Sequence, residues 1–220
     1  METLHGLFQL QPHPDNPSHL VKHVGVTLTF IDAGQWSISF AVNPPEGIQM
    51  PKPAQPTRQD GLWLHTCFEL FVLDPENGSY LEFNFSPSGC WAAYAFDNYR
   101  FGRRDLEIPA ICVTTSSPEQ FNLAKKRHLV ALGIDEETIK AMLELDIGDA
   151  GLSAPVNFTL SAVCDAPGLS FSSNCRFAIS AVIEEIGGTK SYWALAHPPG
   201  EPDFHHPTSY AATLPAPTSK

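Results

Sequence analysis

Apolar and polar residues alternate in short runs along most of the chain. Val26, Leu28 and Phe30 are followed by Trp36, Ile38, Phe40 and Val42, with Asp32-Ala33-Gly34-Gln35 between them, which predicts a β-hairpin. The stretch 43–61 holds five prolines. Proline cannot donate to a sheet ladder, so this stretch is expected to be a long surface loop. Between His65 and Asp97 three strands are expected in succession, separated by DPENGS (74–79) and PSG (87–89), both rich in turn formers. Further strands are expected over Ile108 to Thr115, around Phe158, Leu160 and Ala162, from Phe177 to Ile186, and from Lys190 to Ala196 after the Gly187-Gly188 turn. Segment 134–147 fits either a short helix or the start of a strand. The pattern predicts an all-β, antiparallel β-sandwich with at most one or two short helices. It is expected to form one domain over 1–220, with the proline-rich loop 43–61 and a flexible tail at 215–220.

Strand side chains alternate between faces, so the central meander can be read as two surfaces. Thr66, Phe68, Leu70, Val72, Leu81, Phe83 and Phe85 fall on one side and are expected to form core. If DPENGS pairs Leu73 with Tyr80, then Glu69 lies opposite Asn84 and Phe71 opposite Glu82. If PSG pairs Ser86 with Cys90, Asn84 neighbours Ala92 and Glu82 neighbours Tyr94. The second surface then carries His65, Glu69, Glu82, Asn84, Ser86 and Tyr94 around the small Ala92 and Cys90. Carboxylates and amides fixed on a sheet offer acceptors and donors to ligand hydroxyls, and nearby rings offer flat apolar area. The plainer alternative is the solvated outer face of a half-exposed sheet. The mix of two glutamates, an asparagine and a tyrosine favours a site.

A formal charge of −11 without a basic cluster argues against nucleic acid and anionic membrane as partners. The first residues lack a basic, apolar export signal, and no window has the run of about 18 apolar residues needed to cross a bilayer, so a cytoplasmic location is expected. Cys67, Cys90, Cys112, Cys164 and Cys175 are odd in number and contain no C-x-x-C pair. Core thiols are therefore expected rather than disulfides or a metal site.

Chemistry beyond binding finds weaker signals. Glu69 and Glu82 have the residue types of a glycosidase acid and base, with a separation that depends on register. His197, Asp203, His205 and His206 lie within ten residues and have metal-ligating side chains. Their spacing, interrupted by prolines, matches no metal motif. A structural role is the commoner outcome: Asp203 and a histidine bond backbone groups where the chain crosses the end of the sandwich, and Phe204 plugs it. Arg100 in the FDNYRFG segment (96–102) suits either a ligand carboxylate or an ion pair with Asp97, and Trp193 suits core or rim. No G-x-S-x-G, P-loop or G-x-G-x-x-G is present.

The stretch WLHTCFELFVLDPENGSYLEFNFSPSGCWAAYAFDNYR (63–100) resembles the core of DOMON-like and family-nine carbohydrate-binding-module-like β-sandwiches. PDFHHPTSYAATL (202–214) is similar to their closing segment. The resemblance implies a jelly-roll-like sandwich without catalytic apparatus that binds a small-molecule ligand, either a saccharide or, as in haem-binding relatives, a porphyrin. A haem-binding member would use methionine with histidine or lysine, for which Met50 and Met142 are the available methionines. Carried over by position, the ligand-binding residues are Trp63, Glu69, Glu82, Asn84, Tyr94 and Arg100 on the meander, with Trp193, Asp203 and His205 from the C-terminal part; His65 joins them from the reading of the sheet face. No resident cofactor is required for saccharide binding.

Overall fold

The computed structural model describes residues 4–32, 34–45, 47–116, 158–166, 169 and 174–213. Within them the chain forms twelve strands: β1 (Leu4–Pro12), β2 (His23–Asp32), β3 (Gln35–Asn43), β4 (Cys67–Leu73), β5 (Tyr80–Phe85), β6 (Trp91–Phe96), β7 (Arg104–Asp105), β8 (Ile111–Ser116), β9 (Phe158–Asp165), β10 (Arg176–Glu184), β11 (Lys190–Ala194) and β12 (Ala212–Thr213). Among the described residues the helical content is two short 3-10 turns, Leu62–Leu64 and Pro207–Ser209. Segment 134–147 and the tail 215–220 lie outside these residues.

All strand pairs are antiparallel, and the order is β7-β6-β5-β4-β10-β11-β1-β2-β3-β9-β8, with β12 added beside the start of β10. The sheet curls so that it works as two layers joined at β1. Residues Leu4–Leu10 of β1 pair with β2, while Gln11 and Pro12 pair with Ala194 and Trp193 of β11. One layer is therefore β1-β2-β3-β9-β8 and the other is β11-β10-β4-β5-β6-β7.

The main core lies between the layers, and alternation places it there. Trp36, Ile38, Phe40 and Val42 of β3 face Phe68 and Leu70 of β4 and Phe83 and Phe85 of β5. Trp36 meets Phe83 edge-on at 4.9 Å, and Phe40 meets Phe68 at the same centroid distance. The two meander turns set the expected register: Glu69 pairs with Asn84, Phe71 with Glu82, Glu82 with Tyr94 and Asn84 with Ala92. In the first turn, Asp74 accepts from the backbone N–H of Glu76, and Gly78 adopts φ 79°.

Three expectations change. The first strand, β1, joins the two layers, although the alternation along the chain predicts no strand there. Cys112 is exposed on β8 because it points away from the core side that holds Ile111 and Val113, whereas the other four thiols are buried. The proline-rich loop has no ladder strand, but it is stitched to the sheet by single bridges at Ile48 and Arg58, and Ile48 is buried in the core. No helix among the described residues is long and apolar enough to cross a membrane.

Candidate ligand-binding cavity

The outer face of the second layer is not a solvated surface. Two coil segments cross it: Gly61–His65 with its 3-10 turn, and the stretch after β11 that carries Phe204 and Tyr210. Beneath them a second apolar cluster forms from Cys67, Phe71, Tyr80, Ala92, Tyr94 and Phe96, with Phe204 and Tyr210 on top. The cover is incomplete. Between the segments and the sheet remains a cavity of about 480 Å³, within the usual range for a small-molecule site. Glu69 and Glu82 lie on its floor, and Trp63, Tyr94, Phe96, Tyr192 and Phe204 supply aromatic walls. Arg100, Arg103, Lys190 and His205 complete the polar lining.

Both floor glutamates are buried, with 4% and 5% of their surface exposed. Glu69 accepts from Ser180 Oγ at 2.9 Å, and Glu82 accepts from Asn84 Nδ2 at 2.7 Å. Burial, followed by the neighbouring Glu82 charge, pushes the Glu69 carboxyl up to about 8 against the Ser180 hydrogen bond. Burial also raises Glu82, although Asn84 and the guanidiniums of Arg103 and Arg100 favour its charge. At neutral pH Glu69 is therefore mainly a neutral acid, able to donate as well as accept. Asn84 itself is fully buried beneath the floor, where it holds Glu82 rather than lining the space.

One wall is built on His205. Its Nδ1 lies 2.8 Å from the Tyr80 hydroxyl, which also accepts the Arg100 backbone N–H at 3.2 Å. Burial, then the Arg100 charge, lowers the imidazole to about 4, so the ring is neutral at pH 7. With the Tyr80 hydroxyl donating to Nδ1, the ring proton sits on Nε2, 3.8 Å from Glu82 Oε2. Asp203 fixes this wall: it accepts from Arg100 Nη2 at 2.8 Å, from the Tyr99 hydroxyl at 2.5 Å and from the His205 backbone N–H at 3.0 Å. Burial opposes the Asp203 charge, but the Tyr99 and Arg100 hydrogen bonds outweigh it and hold the carboxyl below its usual range.

The opposite wall is a stack. Arg103 lies over the Tyr94 ring, its guanidinium carbon 4.1 Å from the centroid, and 5.7 Å from that of Trp63. Arg58 approaches the Tyr94 ring at 5.3 Å. The Tyr94 hydroxyl donates to Asp60 at 2.6 Å, and Asp60 also pairs with Arg58 at 3.1 Å. The loop after β6 supports this arrangement with two left-handed residues, Arg100 at φ 53° and Gly102 at φ 70°. A Cβ at Gly102 would collide with the Asp97 carboxyl, so the position requires glycine.

Of the residues singled out from sequence, Trp63, Glu69, Glu82, Tyr94, Arg100 and His205 line the cavity, and Asp203 stands behind its wall. Arg100 pairs with Asp203 and not with Asp97, which binds Arg104 instead. Two others lie elsewhere. Trp193 is buried in the core between the layers, with its indole N–H on Ser191 Oγ, because it alternates with Tyr192 and Tyr192 takes the cavity side. His65 is exposed just before β4, after the Leu62–Leu64 turn, and pairs with Glu184 at 2.9 Å, outside the lining. Sequence reasoning missed Arg103, Lys190, Tyr192 and Val182. Only the pairing of Val182 with Tyr192 across β10 and β11 brings the last two to the same face as Glu69.

The histidine cluster separates. His197 turns to the carbonyl of Gln11 and the ring of His13, whereas His206 caps the turn Pro207–Ser209 through Nδ1. Among the described residues no group of three or more His, Cys, Asp or Glu side chains is placed to hold a metal ion. Met50 packs against the interlayer core rather than the cavity, and Met142 lies outside the described residues.

No protein-family profile matches the chain, and no curated protein sequence matches it significantly. A solved structure does. The crystal structure of "a putative carbohydrate-binding protein" from Bacteroides uniformis aligns with 93% of this chain and 84% of its own, at a TM-score of 0.56 and 12% sequence identity. The likeness at that identity is one of fold: a curled, antiparallel, β-rich architecture.

Proposed function

We propose that the protein is a non-catalytic binding module for a saccharide or another polyhydroxylated small molecule, held in the cavity over β4, β5, β6, β10 and β11. One observation carries this reading: two buried glutamates on a sheet floor, each with one carboxyl oxygen bonded to the protein, face an aromatic-walled space. Such a floor matches a ring bearing several hydroxyls, and Trp63, Tyr94 and Tyr192 offer area for its apolar face. The resemblance of segments 63–100 and 202–214 to DOMON-like and family-nine carbohydrate-binding-module-like sandwiches agrees with it. So does the carbohydrate-binding description of the Bacteroides uniformis protein. The module is read as a cytoplasmic, single-domain protein without a resident cofactor.

The test is titration with a panel of mono- and oligosaccharides, followed by tryptophan fluorescence and calorimetry. Binding by at least one member, weakened about tenfold or more in Trp63→Ala, is expected for loss of an aromatic stacking surface. No binding across the panel overturns the reading. A Soret band appearing on haem addition would favour a porphyrin, and hydrolysis of a panel sugar that disappears in both Glu69→Gln and Glu82→Gln would favour a glycosidase.

A further inference from the structure

We propose that the ligand of this cavity carries a carboxylate, as uronic-acid sugars do, and that Arg103 and Lys190 form the seat for it. The inference rests on the saccharide reading above and adds the charge of the sugar.

The chain as a whole is acidic, at −11, but its cavity is not. Three cations line it, Arg100, Arg103 and Lys190, against two carboxyls, Glu69 and Glu82. Arg100 is matched by Asp203. The other two cations are matched less closely. The nearest carboxylate to Arg103 among the described residues is Asp60 at 3.7 Å, beyond hydrogen-bond reach, and Asp60 is already engaged by Tyr94 and Arg58. Lys190 donates to the Leu64 carbonyl at 2.7 Å, which leaves two of its three ammonium hydrogens, and no described carboxylate lies within ion-pair distance. Two buried carboxyls on one floor resist ionising together, and Glu69 is the one held neutral. At neutral pH the side chains lining the cavity therefore carry more positive than negative charge.

The geometry also favours a planar acid. Arg103 is held over the Tyr94 ring and beside Trp63, which limits the positions its guanidinium can take, and a guanidinium binds a carboxylate through two parallel hydrogen bonds. The glutamate floor meanwhile takes hydroxyls and repels a second anion, so the acid group is directed to the wall.

The experiment compares trigalacturonate with its fully methyl-esterified form, which keeps the ring hydroxyls and loses the charge, by calorimetry on the full chain. The acid is expected to bind about tenfold or more tighter than the ester, a preference that shrinks as salt is raised. Arg103→Gln and Lys190→Gln, each checked by thermal melting, should reduce acid affinity more than ester affinity. The double variant should erase the preference. Equal or tighter binding of the ester overturns the inference and leaves the saccharide reading standing. A preference for acid that persists in the double variant overturns the assigned seat. Absence of binding by both forms and by every neutral sugar overturns the inference together with the reading beneath it.

Discussion

Strands β4 and β5 bury both of their faces, and the two faces are built on different principles. Toward the first layer, Phe68, Leu70, Val72, Phe83 and Phe85 join Trp36 and Phe40 in close apolar packing with no carboxylate or cation among them. Toward the coil cover, the same strands present Glu69, Phe71, Glu82 and Asn84, and space is left over them. The first face maximises contact, as expected of a layer that must hold the fold together. The second tolerates two buried carboxyls and a void, both of which cost stability.

The sharpest way to test the contrast is to truncate one residue on each side. Phe83→Ala, on the interlayer side, is expected to lose about 3–5 kcal/mol in denaturant unfolding, because its void is enclosed by Trp36 and cannot be filled. Next comes the pH dependence of the cavity face. The folded-state Glu69 carboxyl, raised from 4.5 to about 8, binds its proton more tightly than it does in the unfolded chain. Its contribution is therefore most favourable below pH 4.5 and is lost as pH rises through 8, at up to about 1.4 kcal/mol per pH unit. Chemical denaturation between pH 5 and 9 should show this decline in the wild type and a flatter profile in Glu69→Gln. Tyr94→Phe removes only the hydroxyl that donates to Asp60 and should cost about 1–2 kcal/mol. The smallest effect is expected for His65→Ala, whose exposed pair with Glu184 is worth less than about 1 kcal/mol and lies off the cavity; saccharide affinity should not move.

The contrast between the faces also explains what can be read from the chain. Alternation and the two turns place β4, β5 and β6 in register, so the juxtaposition of Glu69, Asn84, Glu82 and Tyr94 is legible in the amino-acid sequence alone. Whether that face is solvated is not, because its cover comes from coil around Trp63 and from Phe204, and coil carries no periodicity. Leu7, apolar but exposed on β1, blurs the alternation that Phe8 and Leu10 would otherwise show. Arg103 and Lys190 reach the cavity from a loop after β6 and from the start of β11, so only the three-dimensional strand order unites them. Trp193 and Tyr192 are adjacent aromatics of one strand, and choosing between them requires the register of β11 against β10.

The short pairing of Gln11 and Pro12 with β11 has a bearing on handling the protein. Because β1 is shared by both layers, it closes the otherwise open flanks of β2 and β11 at once. Removing residues 4–12 would uncover two rows of unpaired backbone donors and acceptors in a single step. Such a truncated chain is expected to associate edge to edge and to precipitate, even with its cavity residues untouched.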